Sequence, residues 1–263
     1  MYNTVRYFIE LSYLGKDFHG WQRQPNASTV QETLENALTT ILRKPIQITG
    51  AGRTDTGVHA SQMYAHFDWE IEEGGSAFAK AYLTTLTDKL NAFLPQSIAI
   101  ARIFEVSRES HARFDAISRS YLYRIAKTKN PFTPDLAYRC RFDLDLAAMN
   151  AAAERLLHHT DFACFSKSNT AVKTHLCEVT EARWEETEDE YIFYITANRF
   201  LRNMVRAIVG TLLEIGRKKQ PVSWMDEVIA SRDRSQAGTS VPGHGLYLTH
   251  IAYPKQIKTN GKH

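Results

Sequence analysis

Cysteine is scarce in this chain. Three residues in 263 (Cys140, Cys164 and Cys177) are too few and too scattered for a disulfide framework or a zinc site, and read as reduced and structural. Long apolar runs are lacking: none reaches the roughly 20 residues needed to span a bilayer. The start, Met1-Tyr2-Asn3-Thr4-Val5-Arg6, lacks the basic, apolar and small-residue sections of a signal peptide. A cytoplasmic protein without membrane contact is the expectation. A strongly basic total is lacking too, since the net charge is +3 and the pI about 8.7, short of the value above about 9 that marks a strong nucleic-acid footprint. The histidines His19, His59, His66 and His111 lack metal-ligand spacing, so they read as loop or strand residues and no metal is expected.

The positive charge is nevertheless grouped. Arg199, Arg202, Arg206, Arg217, Lys218 and Lys219 crowd one segment, and Arg108, Arg113, Arg119, Arg124, Lys127 and Lys129 another. Such patches suit a phosphate-rich partner, although solvated helix and strand faces produce the same counts.

With 43% hydrophobic and 23% charged residues, the chain has the composition of a globular protein. Val5 to Tyr13 reads as a strand. Gly15 to Asn26 is a loop whose Trp21, set among Gln22, Arg23 and Gln24, either stacks on bases or anchors the loop. Thr29 and Glu32 have capping-box spacing, and Val30, Leu34, Leu38, Ile41 and Leu42 recur as on a helix. Strands over Ile46 to Ala51 and Gln62 to Asp68 follow, then a helix over Ala77 to Phe93 and a strand over Ile98 to Val106. Further on come a strand (Ser118 to Ala126), an alanine-rich helix (Leu146 to Leu157), a hairpin (Cys177 to Glu186 and Tyr191 to Asn198), helices over Phe200 to Ile215 and Val222 to Ala230, and a last strand (Leu246 to Tyr253).

Each half thus has β-α-β-β-α-β order, that of a ferredoxin-like unit. The expected fold is α+β: two such halves, 1–108 and 109–263, joining into one mixed, mainly antiparallel sheet. Helices would lie on one face, with a central active-site cleft. Sheets of this order are a common RNA-binding platform, though fold alone does not give function.

The chemistry concentrates in Gly50-Ala51-Gly52-Arg53-Thr54-Asp55-Thr56-Gly57-Val58-His59-Ala60, with three glycines within eight residues. Glycine permits sharp turns and close approach, and loops leaving a rigid strand commonly carry catalytic groups. A plain turn with a solvated Arg53 and Asp55 is the alternative. On the helix after Phe200, Arg202 and Arg206 are four apart and share a side. Arg206 borders the apolar stripe, where an unpaired charge is costly. Two partners stay open: Asp55, which pairing would keep ionised and oriented, or Glu214 and water at the rim.

The motifs Gly52-Arg53-Thr54-Asp55-Thr56-Gly57-Val58-His59-Ala60, Arg113-Phe114-Asp115-Ala116, Arg119-Ser120-Tyr121-Leu122-Tyr123, Phe200-Leu201-Arg202-Asn203-Met204-Val205-Arg206 and Gly245-Leu246-Tyr247-Leu248 occur in this order. With Gly20-Trp21-Gln22-Arg23-Gln24 they resemble the bacterial tRNA pseudouridine synthase A family, from about Tyr7 to Pro254. The resemblance implies an isomerase of tRNA processing that converts uridine to pseudouridine at positions 38 to 40 of the anticodon stem-loop. It further implies a homodimer bridged by one tRNA, with no cofactor and no metal. It places Asp55 as the catalytic carboxylate, Tyr121 as the active-site tyrosine and Arg206 as the partner of the aspartate. Arg53 would help displace the target base, and Leu246 would pack near it. Thr56 stands where the family often has alanine, a small departure.

Two rivals remain. Asp55-Thr56-Gly57 is also the aspartic-protease triplet, but that chemistry needs two aspartates sharing a proton, and this chain has one triplet. An RNA-binding protein without catalysis would bind tRNA and leave it unchanged.

Overall fold

The computed structural model describes residues 3–71, 78, 80–167 and 174–258. The expected helix start at Ala77 lies outside them, as does the tail beyond residue 258. The chain forms two compact units, one of residues 1–117 with 248–263 and one of residues 118–247.

The first unit contains β1 (Asn3–Tyr13), α1 (Val30–Leu42), β2 (Thr49–Gly50), β3 (His59–Ile71), α2 (Lys80–Phe93) and β4 (Ile98–Val106). The β-α-β-β-α-β order is as expected. β1 lies between β4 and β3, antiparallel to both, and β2 pairs antiparallel with β3, giving the split-βαβ order β4-β1-β3-β2. α1 begins where its sequence signals: the Thr29 hydroxyl accepts from the Glu32 amide at 3.4 Å. The α1 residues Val30, Leu34 and Leu38 are fully buried, as are Leu86 and Leu90 of α2.

Alternation along β3 separates Met63, Ala65 and Phe67 from Tyr64, His66 and Asp68. Both sets are covered as far as His66, because Tyr64 and His66 are buried as deeply as a core requires (3% and 6% exposed). Their cover is aromatic and local. The Phe8 ring lies against Tyr64, His66 and Tyr253 at 5.6–6.5 Å, and the Tyr253 hydroxyl donates to the Ala112 carbonyl.

The expected strand over Ile46 to Ala51 is shorter than its apolar pattern suggests. Only Thr49 and Gly50 join the sheet. Ile46 and Ile48 are buried with their backbone amides bound to side chains instead, Ile46 to the Thr39 hydroxyl and Ile48 to the Glu35 carboxylate, each at 3.0 Å.

The second unit contains β5 (Ser118–Ala126), β6 (Tyr138–Arg139), α3 (Leu146–Arg155), β7 (Val179–Glu186), β8 (Glu190–Ala197), α4 (Met204–Gly216) and α5 (Trp224–Ser231). β9 (Leu246–Ala252) begins in this unit, and its residues from Leu248 belong to the first. β8 pairs antiparallel with β5 and β7, while the short β6 pairs parallel with β5. Of these pairings only the short β6 contact is parallel, so the fold is α+β and mainly antiparallel. The three cysteines are free and buried. Burial pushes the Cys164 thiol up to about 12 and the Cys177 thiol up to about 11, which keeps both protonated and unreactive.

The expected helix from Phe200 starts four residues late. Asn203 has φ 68°, in the left-handed region, so the chain cannot run helically through it into α4. Its side chain explains the break, because the amide donates to the Ser240 hydroxyl at 2.6 Å. Arg202 thus stands in the turn before α4, and the expected shared helical side of Arg202 and Arg206 does not exist.

Candidate active site

The Asp55 loop is clamped from beneath by the segment 13–21. The Trp21 amide donates to the Thr54 carbonyl at 3.2 Å. The Tyr13 and Thr54 hydroxyls are bonded to each other at 2.9 Å in a buried position. Gly57 donates to the Phe18 carbonyl at 3.4 Å, and Val58 to the Asp55 carbonyl at 3.2 Å, which closes the turn. Two glycines permit this approach. Gly20 has φ +92°, and a Cβ there would stand 2.4 Å from the Thr54 carbonyl oxygen. A Cβ on Gly50 would stand 2.4 Å from the Trp21 ring nitrogen.

Trp21 is 2% exposed, so of its two readings the anchor holds and base stacking does not. His59 is also structural, being 1% exposed with Nδ1 accepting from the Gly15 amide at 3.0 Å. On this base Thr54 is buried, Asp55 is half-buried and Arg53 is exposed. The outer side of the loop is open, since a Cβ on Gly52 would meet nothing within 4 Å. So firm a floor holds the backbone that carries the Asp55 carboxylate in place, a first requirement for a nucleophile or base. Tyr13 and Thr54, which fix it, were not singled out by the sequence. The only hint was a tyrosine closing a strand just before the Gly15 loop.

In the second unit, the segment 237–246 lies tightly against α4. A Cβ on Gly210 would fall 1.9 Å from the Thr239 carbonyl oxygen, and one on Gly238 2.7 Å from the Gly210 backbone. The Gly238 amide donates to the buried Thr211 hydroxyl at 2.9 Å. This contact carries Arg206. Its Nε donates to the Val241 carbonyl at 2.7 Å, and its own carbonyl accepts from the Val241 amide at 3.2 Å. Glu214, the rival partner, is engaged by Arg217 and Lys219, each at 3.3 Å.

One residue beyond Val241, the Pro242 carbonyl accepts from the Tyr123 hydroxyl at 2.8 Å. Burial pushes that hydroxyl well above its ordinary range, so it stays protonated and able to donate this bond. Leu246 follows, 6% exposed. Tyr121, on β5, is half-buried with its ring edge-on to Phe200 at 5.1 Å. Of the expected site residues, Asp55 and Arg53 thus share the first unit's loop, and Arg206, Tyr121 and Leu246 belong to the second unit.

Part of the grouped positive charge is spent internally. Arg124 pairs bidentately with Glu190 at 2.8 and 2.9 Å, and Lys127 with Glu186 at 2.6 Å. Arg108, Arg113, Lys129 and Arg202 remain exposed. Among the described residues, no group of three or more His, Cys, Asp or Glu side chains is placed to hold a metal ion.

Comparison with known proteins converges on one family. Residues 11–115 and 152–254 match the family described as tRNA pseudouridine synthase. The tRNA pseudouridine synthase A of Parabacteroides distasonis is 50% identical over 252 residues, covering 96% of this chain and 97% of that protein. The enzyme of the same name from Bacteroides fragilis is 49% identical over 257 residues (97% and 99%). That of Pseudoalteromonas atlantica is 36% identical over 253 residues (95% and 93%). Matched over most of its length and sharing half its residues with named relatives, the chain belongs to the tRNA pseudouridine synthase family.

Proposed function

We propose that the protein isomerises uridine to pseudouridine at positions 38 to 40 of the tRNA anticodon stem-loop, with Asp55 as its catalytic carboxylate. That it is an RNA-uridine isomerase acting on tRNA follows from its family and its relatives. The observation that carries the choice of Asp55 is its setting: a half-buried carboxylate on a loop locked from below by Tyr13, Trp21 and Phe18.

The reaction breaks the bond from C1′ to N1 of uracil, turns the detached base and rejoins it through C5. Asp55 serves it by attack on C1′ or the ring, or by assisting base departure and proton transfer. Arg206 is the proposed partner that orients the Asp55 carboxylate during the reaction. Tyr121 presents an aromatic face to the freed base and relays the C5 proton. Leu246 packs near the base. The uridine must first leave its stack, and Arg53, exposed on the Asp55 loop, fills the gap.

The first half, 1–108, contributes the aspartate loop, and the second, 109–263, the tyrosine and arginine. The protein works in the cytoplasm as a homodimer bridged by one tRNA and uses no cofactor. No described helix is long and apolar enough to cross a membrane.

The test is to treat unmodified tRNA with the protein and map pseudouridine by carbodiimide adducts that stop primer extension. Stops at 38 to 40 are expected. Stops elsewhere in the tRNA would refute the site while leaving the family's chemistry intact.

A further inference from the structure

The turn at 110–117 has two unlike sides. Its inner side is fastened to the first unit's sheet. The Ser110 carbonyl accepts from Arg6 Nη1 at 2.9 Å, the Ala112 amide donates to His66 Nδ1 at 3.1 Å, and the Ile117 amide donates to the Ala252 carbonyl at 2.9 Å. Its outer side carries Arg113 and Phe114, the latter 75% exposed. A large apolar ring left in water on so well-tied a turn calls for a reason.

The ring is held out by design of the turn. Asp115 accepts from the His111 amide at 2.7 Å, and its own amide donates to the His111 carbonyl at 3.1 Å. His111 Nδ1 then accepts the amides of Arg113 and Phe114 at 3.1 and 3.3 Å. The His111 ring backs the Phe114 ring at 4.3 Å between centroids, and His111 itself rests edge-on against His66 at 4.7 Å. The Arg113 guanidinium lies 5.8 Å from the Phe114 centroid.

We infer that Phe114 is a stacking platform for an unpaired base of the RNA substrate, with Arg113 beside it for the adjoining phosphate. The inference rests on the tRNA reading above and adds a binding residue to it. A base stacks on an aromatic face regardless of its sequence, and arginine supplies the backbone contact. Because the turn is ordered in advance, binding does not pay to order it.

Arg108 and Arg113 are exposed and suit phosphates, and the Asp68 carboxylate is neutralised by its bidentate pair with Arg6. Asp115 and Glu109 stay charged, bonded to the His111 amide and the Ser107 hydroxyl.

The experiment compares the full chain with Phe114→Ala, Phe114→Leu and Phe114→Trp, using an unmodified tRNA transcript. Phe114→Ala is expected to weaken tRNA binding, and to raise KM, by about five- to a hundredfold, with single-turnover kcat at saturation unchanged. Phe114→Trp should restore affinity, and tRNA should quench its fluorescence beyond the change seen in the native protein. Phe114→Leu should not restore affinity. Native affinity in Phe114→Ala would overturn the inference, as would full rescue by Phe114→Leu, which would mean a plain apolar contact. A loss of mass by sedimentation in Phe114→Ala without tRNA would also overturn it, assigning the ring to a contact between copies. If the native protein binds tRNA but converts no uridine, the functional reading fails while the binding arm still decides the role of Phe114.

Discussion

Gly210→Ala sets two magnitudes against each other. In the interior of α4, alanine is favoured over glycine by about 1 kcal/mol through helix propensity alone. Packing opposes this. The new Cβ would lie 1.9 Å from the Thr239 carbonyl oxygen, where carbon and oxygen ordinarily stay about 3.3 Å or more apart. The segment 237–241 must therefore retreat by more than about 1 Å, at an overpacking cost of about 1–3 kcal/mol.

The retreat also stretches the Gly238–Thr211 bond (2.9 Å) and the Arg206–Val241 bonds (2.7 and 3.2 Å), worth about 1 kcal/mol each. The net expectation is destabilisation by about 2 kcal/mol, read as a lower urea midpoint. Conversion of tRNA should slow as well, since Arg206 loses its seat. A variant more stable than the native protein by about 1 kcal/mol would show that propensity alone governs the site and would refute the close contact.

Three further predictions follow from other contacts. Burial, with Arg6 and His111 as positive neighbours, holds His66 down to about 4. Its folded value lies below the unfolded one, so it contributes stability above about pH 6.5 that is lost as pH falls toward 4. His66→Gln should flatten the urea midpoint across that window by roughly 2 kcal/mol, the full shift being cut back for solvent screening; an unchanged slope would count against a neutral buried imidazole. Tyr13→Phe removes the buried partner of the Thr54 hydroxyl; kcat should fall about tenfold from a loss of about 1.4 kcal/mol with KM little changed, and a KM effect alone would contradict a positioning role. Gly52→Ala places a Cβ where nothing lies within 4 Å; the melting temperature should stay the same while tRNA conversion slows, and unchanged conversion would mean that substrate does not approach there.

The order of elements was legible because each carries its own periodicity. Leu34 and Leu38 of α1, or Met63, Ala65 and Phe67 of β3, announce their faces within a few residues. What stayed hidden depends on partners far along the chain. The stretch from Phe200 to Ile215 is apolar throughout, so nothing local reveals that Asn203 turns left-handed to reach Ser240. The strand expected at Ile46 to Ala51 has the right residue types, yet Thr39 and Glu35 take the amides of Ile46 and Ile48.

Asp55, Tyr121 and Arg206 stood out through the motifs around them. The floor under Asp55 did not, because a Tyr13–Thr54 bond spans 41 positions and neither residue is unusual alone. Trp21 shows the reverse difficulty. Its sequence company suited RNA, and only its burial against Gly50 assigns it to the scaffold.

The central claim is that Asp55 drives replacement of hydrogen at C5 of a tRNA uridine. Release of tritium from tRNA labelled at C5 of uridine tests it most directly, with the native protein and Asp55→Ala compared at saturating enzyme. Release by the native protein and none by the variant is expected, with tRNA still bound by both. Equal release by both would contradict the role of Asp55, and no release by either would contradict the isomerase itself.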